Sequence, residues 1–227
     1  MKIHFQPVAF IAVSVLASVP LFARDLSVYR EFHLGSSPGE VAKQAGMESS
    51  ATNLISSRPE RIEELDWSVN GFESPSTRPD SVREIRFRFY NGNLFEMMVS
   101  YDRDRTAGLT EADMTEALSG IYGPASTPVT KEMSFNSGYN STVRVIAQWG
   151  DPQNLLSLVG FSYGDGFGVI VSSKPTLAMA RQALGESERL DRMEAPQKAL
   201  DLKAKLDAEV AAKDEKSRLA NKPGFRP

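Results

Sequence analysis

Between residues 83 and 101 apolar side chains occupy every second position. Ile85, Phe87 and Phe89 alternate with Arg86, Arg88 and Tyr90, and beyond Asn91-Gly92-Asn93 the period continues through Phe95, Met97 and Val99. Residues two apart share one face of a strand, so the stretch predicts an antiparallel hairpin with one buried face. Its register can be argued from the pattern. A two-residue Asn91-Gly92 turn would set Phe87 against Glu96, whereas a loop over residues 91–93 opposes Phe89 to Phe95, Phe87 to Met97 and Ile85 to Val99, with Arg88 across from Glu96. The second register keeps like with like and is the one expected, with Asn93 in the left-handed position.

The second half repeats the device. Val159, Phe161 and Tyr163 lead into Gly164-Asp165-Gly166, followed by Phe167, Val169 and Val171, and a loop over residues 164–166 would match all three pairs. Each hairpin is preceded by a capped helix and a Trp-bearing strand. Ser37-Pro38-Gly39-Glu40 has the spacing of a capping box with Pro at the first helical position, and Gly46 is a left-handed stop. Thr110-Glu111-Ala112-Asp113 starts a second helix, with Met114, Leu118 and Ile121 on one face and Gly123-Pro124 as its end. Leu65, Trp67 and Val69 alternate before the first hairpin, and Val143, Val145 and Ala147 run up to Trp149 before the second. Weaker strand signals lie near residues 53–57 and 129–135. A helix over residues 176–184 is expected to stop at Gly185. The remainder is rich in charges of both signs and is split by Pro196, with Leu202, Leu206 and Val210 as a thin apolar stripe. It predicts a solvated helix fraying into a partly disordered tail, with a partner-binding or self-associating helix as the alternative.

Composition adds the compartment. Of the 227 residues, 41% are apolar and 24% charged, the net charge is −3, and there is no cysteine. Disulfides, thiolate metal sites, thiol nucleophiles and cysteine-linked lipid are thereby excluded. The only histidines are His4 and His33, which rules out a histidine-rich metal site. Residues 1–23 have Lys2, an apolar run from Val8 to Phe22, and Ala23 before Arg24-Asp25, the pattern of an export signal cleaved after Ala23. The mature chain is therefore expected in the periplasm or outside the cell, with membrane contact only through an uncleaved signal.

Candidate chemistry is thin. His33 has no nucleophile elbow to serve. Asp102-Arg103-Asp104 begins like a calcium loop but lacks Gly at the sixth place and Glu at the twelfth. Glu63, Glu64 and Asp66 are too close on one strand to define a glycosidase pair. Gly164-Asp165-Gly166-Phe167-Gly168 is flanked by strands on both sides, so it reads as a hairpin loop and not a phosphate cradle. Arg83, Arg86, Arg88, Arg103 and Arg105 cluster near one hairpin of a slightly acidic chain, which argues against nucleic acid and for charged protection of a sheet edge. No catalytic, cofactor or metal residue is assigned. Arg86, Arg88, Tyr90 and Tyr101, on the faces away from the expected core, are the candidate partner-binding surface.

The stretch Phe32-His33-Leu34-Gly35-Ser36-Ser37-Pro38-Gly39-Glu40-Val41, closed by Gly46, resembles the opening of small bacterial periplasmic domains, among them the lipoprotein that assists the outer-membrane β-barrel assembly machine. The tandem plan is similar to secreted β-lactamase-inhibitory proteins, two helix-plus-four-strand units in a row. The resemblance spans residues 28–101 and 109–173, and the missing lipobox cysteine removes the lipid anchor. It implies fold, compartment and a binding role, and it carries over no partner-binding residue.

The resulting expectation is an α+β protein. It would comprise a signal (residues 1–23), two helix-on-antiparallel-sheet units (24–106 and 107–185) and a charged helical tail (186–227). Function is expected to be that of a non-enzymatic binding or accessory protein of the bacterial envelope, acting on an envelope protein. A secreted hydrolase with an unrecognised site is the alternative.

Overall fold

A computed structural model describes residues 25–48, 51–69, 81–128, 132–137, 139–161, 166–224 and 226. The expected export signal, the expected loop over residues 74–80 and most of the expected loop over residues 164–166 lie outside the described residues. Among the described residues, no helix is long and apolar enough to cross a membrane.

The protein is α+β. A short hairpin, β1 (Val28–Tyr29) and β2 (Phe32–His33), precedes α1 (Pro38–Gln44). Four strands follow: β3 (Asn53–Ser56), β4 (Ile62–Ser68), β5 (Val82–Tyr90) and β6 (Asn93–Tyr101). A single helical turn, α2 (Arg103–Thr106), leads to α3 (Glu111–Tyr122). Four more strands, β7 (Glu132–Ser137), β8 (Tyr139–Gly150), β9 (Asn154–Phe161) and β10 (Phe167–Ser173), end in the long helix α4 (Lys174–Asn221).

The two units share one antiparallel eight-stranded sheet in the order β3-β4-β5-β6-β10-β9-β8-β7. The join is the pairing of β6 with β10, the last strand of each unit. Two apolar rungs run straight through it. Leu65, Phe87, Met97, Val171, Leu156 and Trp149 are neighbours across six strands, and so are Trp67, Ile85, Val99, Val169, Leu158 and Ala147. Both rungs face α1 and α3, whose Val41, Ala42, Met114, Leu118 and Tyr122 complete the same core with Phe32 of β2. The Trp149 indole N–H donates to Gly123 O at 2.8 Å, so the ring is buried with its polar atom satisfied.

Both helix starts are as expected. The Glu40 amide donates to Ser37 Oγ and the Ser37 amide to Glu40 Oε2, and Thr110 with Asp113 does the same for α3. One face differs: Tyr122, not Ile121, joins Met114 and Leu118 in the core, and Ile121 is 45% exposed.

The first hairpin has the expected pairs, Arg88–Glu96, Phe87–Met97 and Ile85–Val99, but reaches them by another route. The turn is the two-residue Asn91-Gly92, with φ of 48° and 78°. Positive φ at both positions matches the twist of the flanking strands. A β-bulge then absorbs one residue: Phe89 faces Leu94, and Phe95 is the extra residue. The bulge sends Phe95 to the opposite face, where it packs with Ile62 against Ala180 and Ala183 of α4.

The second hairpin departs further. Val169 pairs with Leu158 and Val171 with Leu156, so the expected Val159–Val171 and Phe161–Val169 pairs do not form. Residues 155–159 are apolar nearly throughout, and Leu156 and Leu158 take the core face. Val159 and Phe161 turn to the other face, where they meet Val143, Val145, Ile170 and Met98. Gly168 lies opposite Val159, and a Cβ there would stand 2.4 Å from Val99 O and 2.9 Å from the Phe161 ring. Gly168→Ala is therefore expected to destabilise the protein by about 2–3 kcal/mol, the upper part of the usual range for overpacking, because the obstacle is a backbone oxygen. Urea unfolding should show the midpoint fall with the m-value kept, and an unchanged midpoint would refute the close approach at the β6–β10 join.

Candidate functional site

The face of the sheet away from α1 and α3 carries a band of charge. Between the two apolar rungs, the opposite pleat presents Asp66, Arg86, Met98, Ile170, Ser157 and Gln148 in one row, and Glu64, Arg88, Glu96 and Ser172 in the next. Arg88 sits between two acids: its Nη1 donates to Glu96 Oε1 at 3.0 Å, and its Nε is 3.9 Å from Glu64 Oε2. Arg86 is held by Asp66 at 2.9 Å, Glu84 at 3.4 Å and Glu64 at 3.5 Å. The Arg88 guanidinium also lies 5.6 Å from the Phe95 ring centroid.

This charge is costly. Glu64, Arg88 and Glu96 are only 7%, 8% and 1% exposed, and Glu64 Oε2, Arg88 Nε and Glu96 Oε2 have no hydrogen-bond partner among the described residues. Burial pushes the Glu64 carboxyl above its ordinary range, against the pull of Arg86. Both carboxylates of the Arg88 row face a guanidinium, so the arrangement fixes strands rather than moving protons.

Of the four residues expected to form a contact surface, Arg86, Arg88 and Tyr90 are on this face and Tyr101 is not. Arg88 is buried between its acids, and Tyr90 packs against α4. Tyr101 lies on the core side, where it hydrogen-bonds Tyr29, and burial pushes its phenol well up. Tyr101 has the same parity as Met97 and Val99 on β6, so the alternation itself assigns it to the core face, and the expected surface placement is corrected on that ground. Arg86 keeps 25% of its side chain in solvent, and Tyr90 and Tyr101 are half-buried.

Other sequence candidates scatter. His33 is exposed on β2. Asp102 caps α2 by accepting from the Asp104 amide at 2.9 Å. An open cleft of about 540 Å³ lies beside α2 and the β9–β10 end, lined by Arg103, Asp104, Leu109, Phe161 and Phe167, with Arg144 paired to Glu111 on its wall.

The more prominent surface is α4, which sequence reading broke at Gly185 and again at Pro196. It is one helix of 48 residues. Its first turns pack Leu177, Ala180, Ala183 and Leu184 onto Ile62, Phe95 and Tyr90. A polar clamp follows. Ser56 Oγ donates to Ser187 Oγ at 3.1 Å, and Arg58 forks onto Glu194 with two contacts of 2.7 Å and onto Asp191 at 2.8 Å. Lys198 adds a contact of 3.1 Å to Glu194. Glycine inside a helix costs about 1 kcal/mol and proline removes one hydrogen bond. Contacts with the sheet on either side of Gly185, and the clamp just before Pro196, hold the helix through both. Arg58, then Lys198, pulls the Glu194 carboxyl down to about 2, and Arg58 likewise lowers Asp191.

Beyond the clamp every described residue from 195 to 224 is exposed. Leu200, Leu202, Leu206 and Val210 are 63%, 58%, 52% and 58% exposed, an apolar stripe on an arm that its own body does not cover.

No protein-family model matches the chain, and no curated protein matches it. Among solved structures it is similar to a cysteine-rich secretory protein from Staphylococcus aureus, at 9% identity and a TM-score of 0.31. The match covers 64% of this chain and 44% of that one, so the chain spans less than half the length of that structure, and a likeness this slight carries no argument.

Two outcomes test the charge placement. Arg88→Ala is expected to cost about 3–5 kcal/mol at neutral pH, because it strands Glu96. Glu64 has a raised pKa, so its stabilising share is present below the ordinary carboxylate range and lost as pH rises through the raised value. Glu64→Gln should accordingly equal or exceed the parent in stability at pH 7 and converge with it toward pH 4. Urea titrations at both pH values decide this, and a clear loss at pH 7 would mean that pairing with Arg88 outweighs burial. The clamp has the opposite sign: Glu194 contributes above the ordinary carboxylate range, and its share is lost as pH falls from about 4.5 toward 2. Arg58→Ala should speed amide exchange in residues 186–195 at pH 7 while leaving β5 and β6 protected.

Proposed function

We propose that this chain is an exported, non-enzymatic binding or accessory protein of the bacterial cell envelope, with the outer part of α4 as its docking element. The observation that carries the reading is the arm. A helix anchored by an apolar contact and a six-residue polar clamp continues for residues 195–221 in solvent, with leucines and a valine more than half exposed. Helices in proteins gain most of their stability from packing an apolar face, and isolated ones are marginal in water, so an arm of this kind gains from a partner. The eight-stranded sheet supplies the rigid mount. The export pattern of residues 1–23 supports the compartment.

The test joins fractionation to cross-linking. The full chain, expressed in a diderm bacterium with a photoreactive residue replacing Leu200, should yield a periplasmic product with Arg24 as its first residue. Ultraviolet light should then give an adduct with a distinct envelope protein. A cytoplasmic product of full length overturns the export. Absence of any such adduct, together with turnover of model esters, glycosides or peptides by the purified chain, overturns the binding role in favour of a hydrolase.

A further inference from the structure

Residues 202–210 of the arm read Leu-Lys-Ala-Lys-Leu-Asp-Ala-Glu-Val. About Leu206 the segment is symmetric in apolar character and antisymmetric in charge: Leu202 mirrors Val210, Ala204 mirrors Ala208, Lys203 mirrors Glu209 and Lys205 mirrors Asp207. We propose that a second copy of this chain docks on the arm of the first, antiparallel, with the two-fold axis at Leu206. The proposal rests on the same exposed arm as the binding role and names one occupant for it.

Helix geometry makes the charges selective. At 100° and 1.5 Å per residue, Leu202, Leu206 and Val210 lie within about 40° of one line. Lys203 and Asp207 flank that line on one side, and Lys205 and Glu209 on the other. When two such helices run antiparallel about Leu206, the same flanks meet. Lys203 then faces Asp207 of the second copy, and Lys205 faces Glu209, each within about 3 Å of level along the axis. Symmetry doubles this to four ion pairs around a seam of Leu202 against Val210 and Leu206 against Leu206. In a parallel pair opposite flanks meet, and Lys203 faces Lys205 while Asp207 faces Glu209. Flanking charges set the orientation of paired helices in this way. Three like-charge approaches remain: Asp207 to Asp207 and Lys205 to Lys205 of the second copy, which at about 100° from the seam lie farther out than the ion pairs, and Lys198 to Lys213 of the second copy, where Lys198 is already neutralised by Glu194 and Asp191.

The extent fits as well. Asp191 and Asn221 are equidistant from Leu206, so the end of one α4 lies level with the other copy's Asp191, the first acid of the Arg58 clamp. The overlap therefore takes up the arm that the body leaves uncovered and stops where the body begins.

The chain has no cysteine, so single-cysteine variants report the geometry cleanly. Sedimentation of the purified mature chain should show a concentration-dependent dimer. Under mild oxidation Leu206→Cys should cross-link to itself. Leu202→Cys and Val210→Cys should each stay largely unlinked alone and cross-link when mixed. Lys203→Glu/Lys205→Glu should weaken the dimer at least ~10-fold by turning four attractions into repulsions, and so should Asp207→Lys/Glu209→Lys. Mixing these two variants, or combining all four substitutions in one chain, should restore pairing. All positions are on the solvent-facing arm, and circular dichroism confirms that each variant keeps its helix. A parent chain that sediments as a monomer at every concentration overturns the proposal. So does self-linking of Leu202→Cys that equals the mixture, or a dimer indifferent to the charge reversals. A monomer that still gives an envelope adduct at position 200 leaves the binding role standing, whereas a dimer without such an adduct supports self-pairing and removes the envelope partner.

Discussion

The pairing of β6 with β10 is the contact on which the rest of the structure depends. It turns two four-stranded ribbons into one sheet and lines up two apolar rungs that cross six strands. Each buried Leu, Phe, Val or Met in those rungs contributes on the order of 1.5–3 kcal/mol, and neither half could bury its own row as completely without the other beside it. Gly168 is the steric condition of that contact. Without a Cβ, the backbone of β10 approaches Val99 O closely and leaves room for the Phe161 ring.

The opposite face answers a different problem. A wide sheet covered by α1 and α3 on one side needs a second face that does not collapse onto the wrong partner. Here the middle of that face is a ladder of carboxylates and guanidinium groups, flanked by apolar patches at Ile62–Phe95 and at Val143–Ile170. The unmet oxygens of Glu64 and Glu96 show that the ladder is not optimised for stability. Such buried charge specifies register, because a slip of one residue between β5 and β6 would strand Arg88 among apolar neighbours.

The long helix grows from this same face. The bulge after Asn91-Gly92 turns Phe95 outward to receive Ala180 and Ala183, and Arg58 forks onto Asp191 and Glu194 one turn after another. The body thus fixes the direction of α4 through its first part, and the arm carries that direction into solvent. The rigid sheet and the projecting arm are two parts of one mechanical device: the first supplies orientation, the second a surface.

Local chemistry was legible in the sequence where neighbours along the chain decide the outcome. The capping boxes at Ser37–Glu40 and Thr110–Asp113, the alternation of Ile85, Phe87 and Phe89, and the pairing of Arg88 with Glu96 all follow from short-range geometry. Positions settled by groups distant in sequence were not legible. The β9–β10 register depended on which of two apolar sets, Leu156 with Leu158 or Val159 with Phe161, would continue a rung begun on β4. The continuity of α4 through Gly185 and Pro196 depended on Ser56 and Arg58, far away along the chain. Tyr101 is a different case: the alternation through Met97 and Val99 already puts it on the core face, where it meets Tyr29. Periodicity tells a strand that it has two faces, but only the packed neighbours tell it which face is inside.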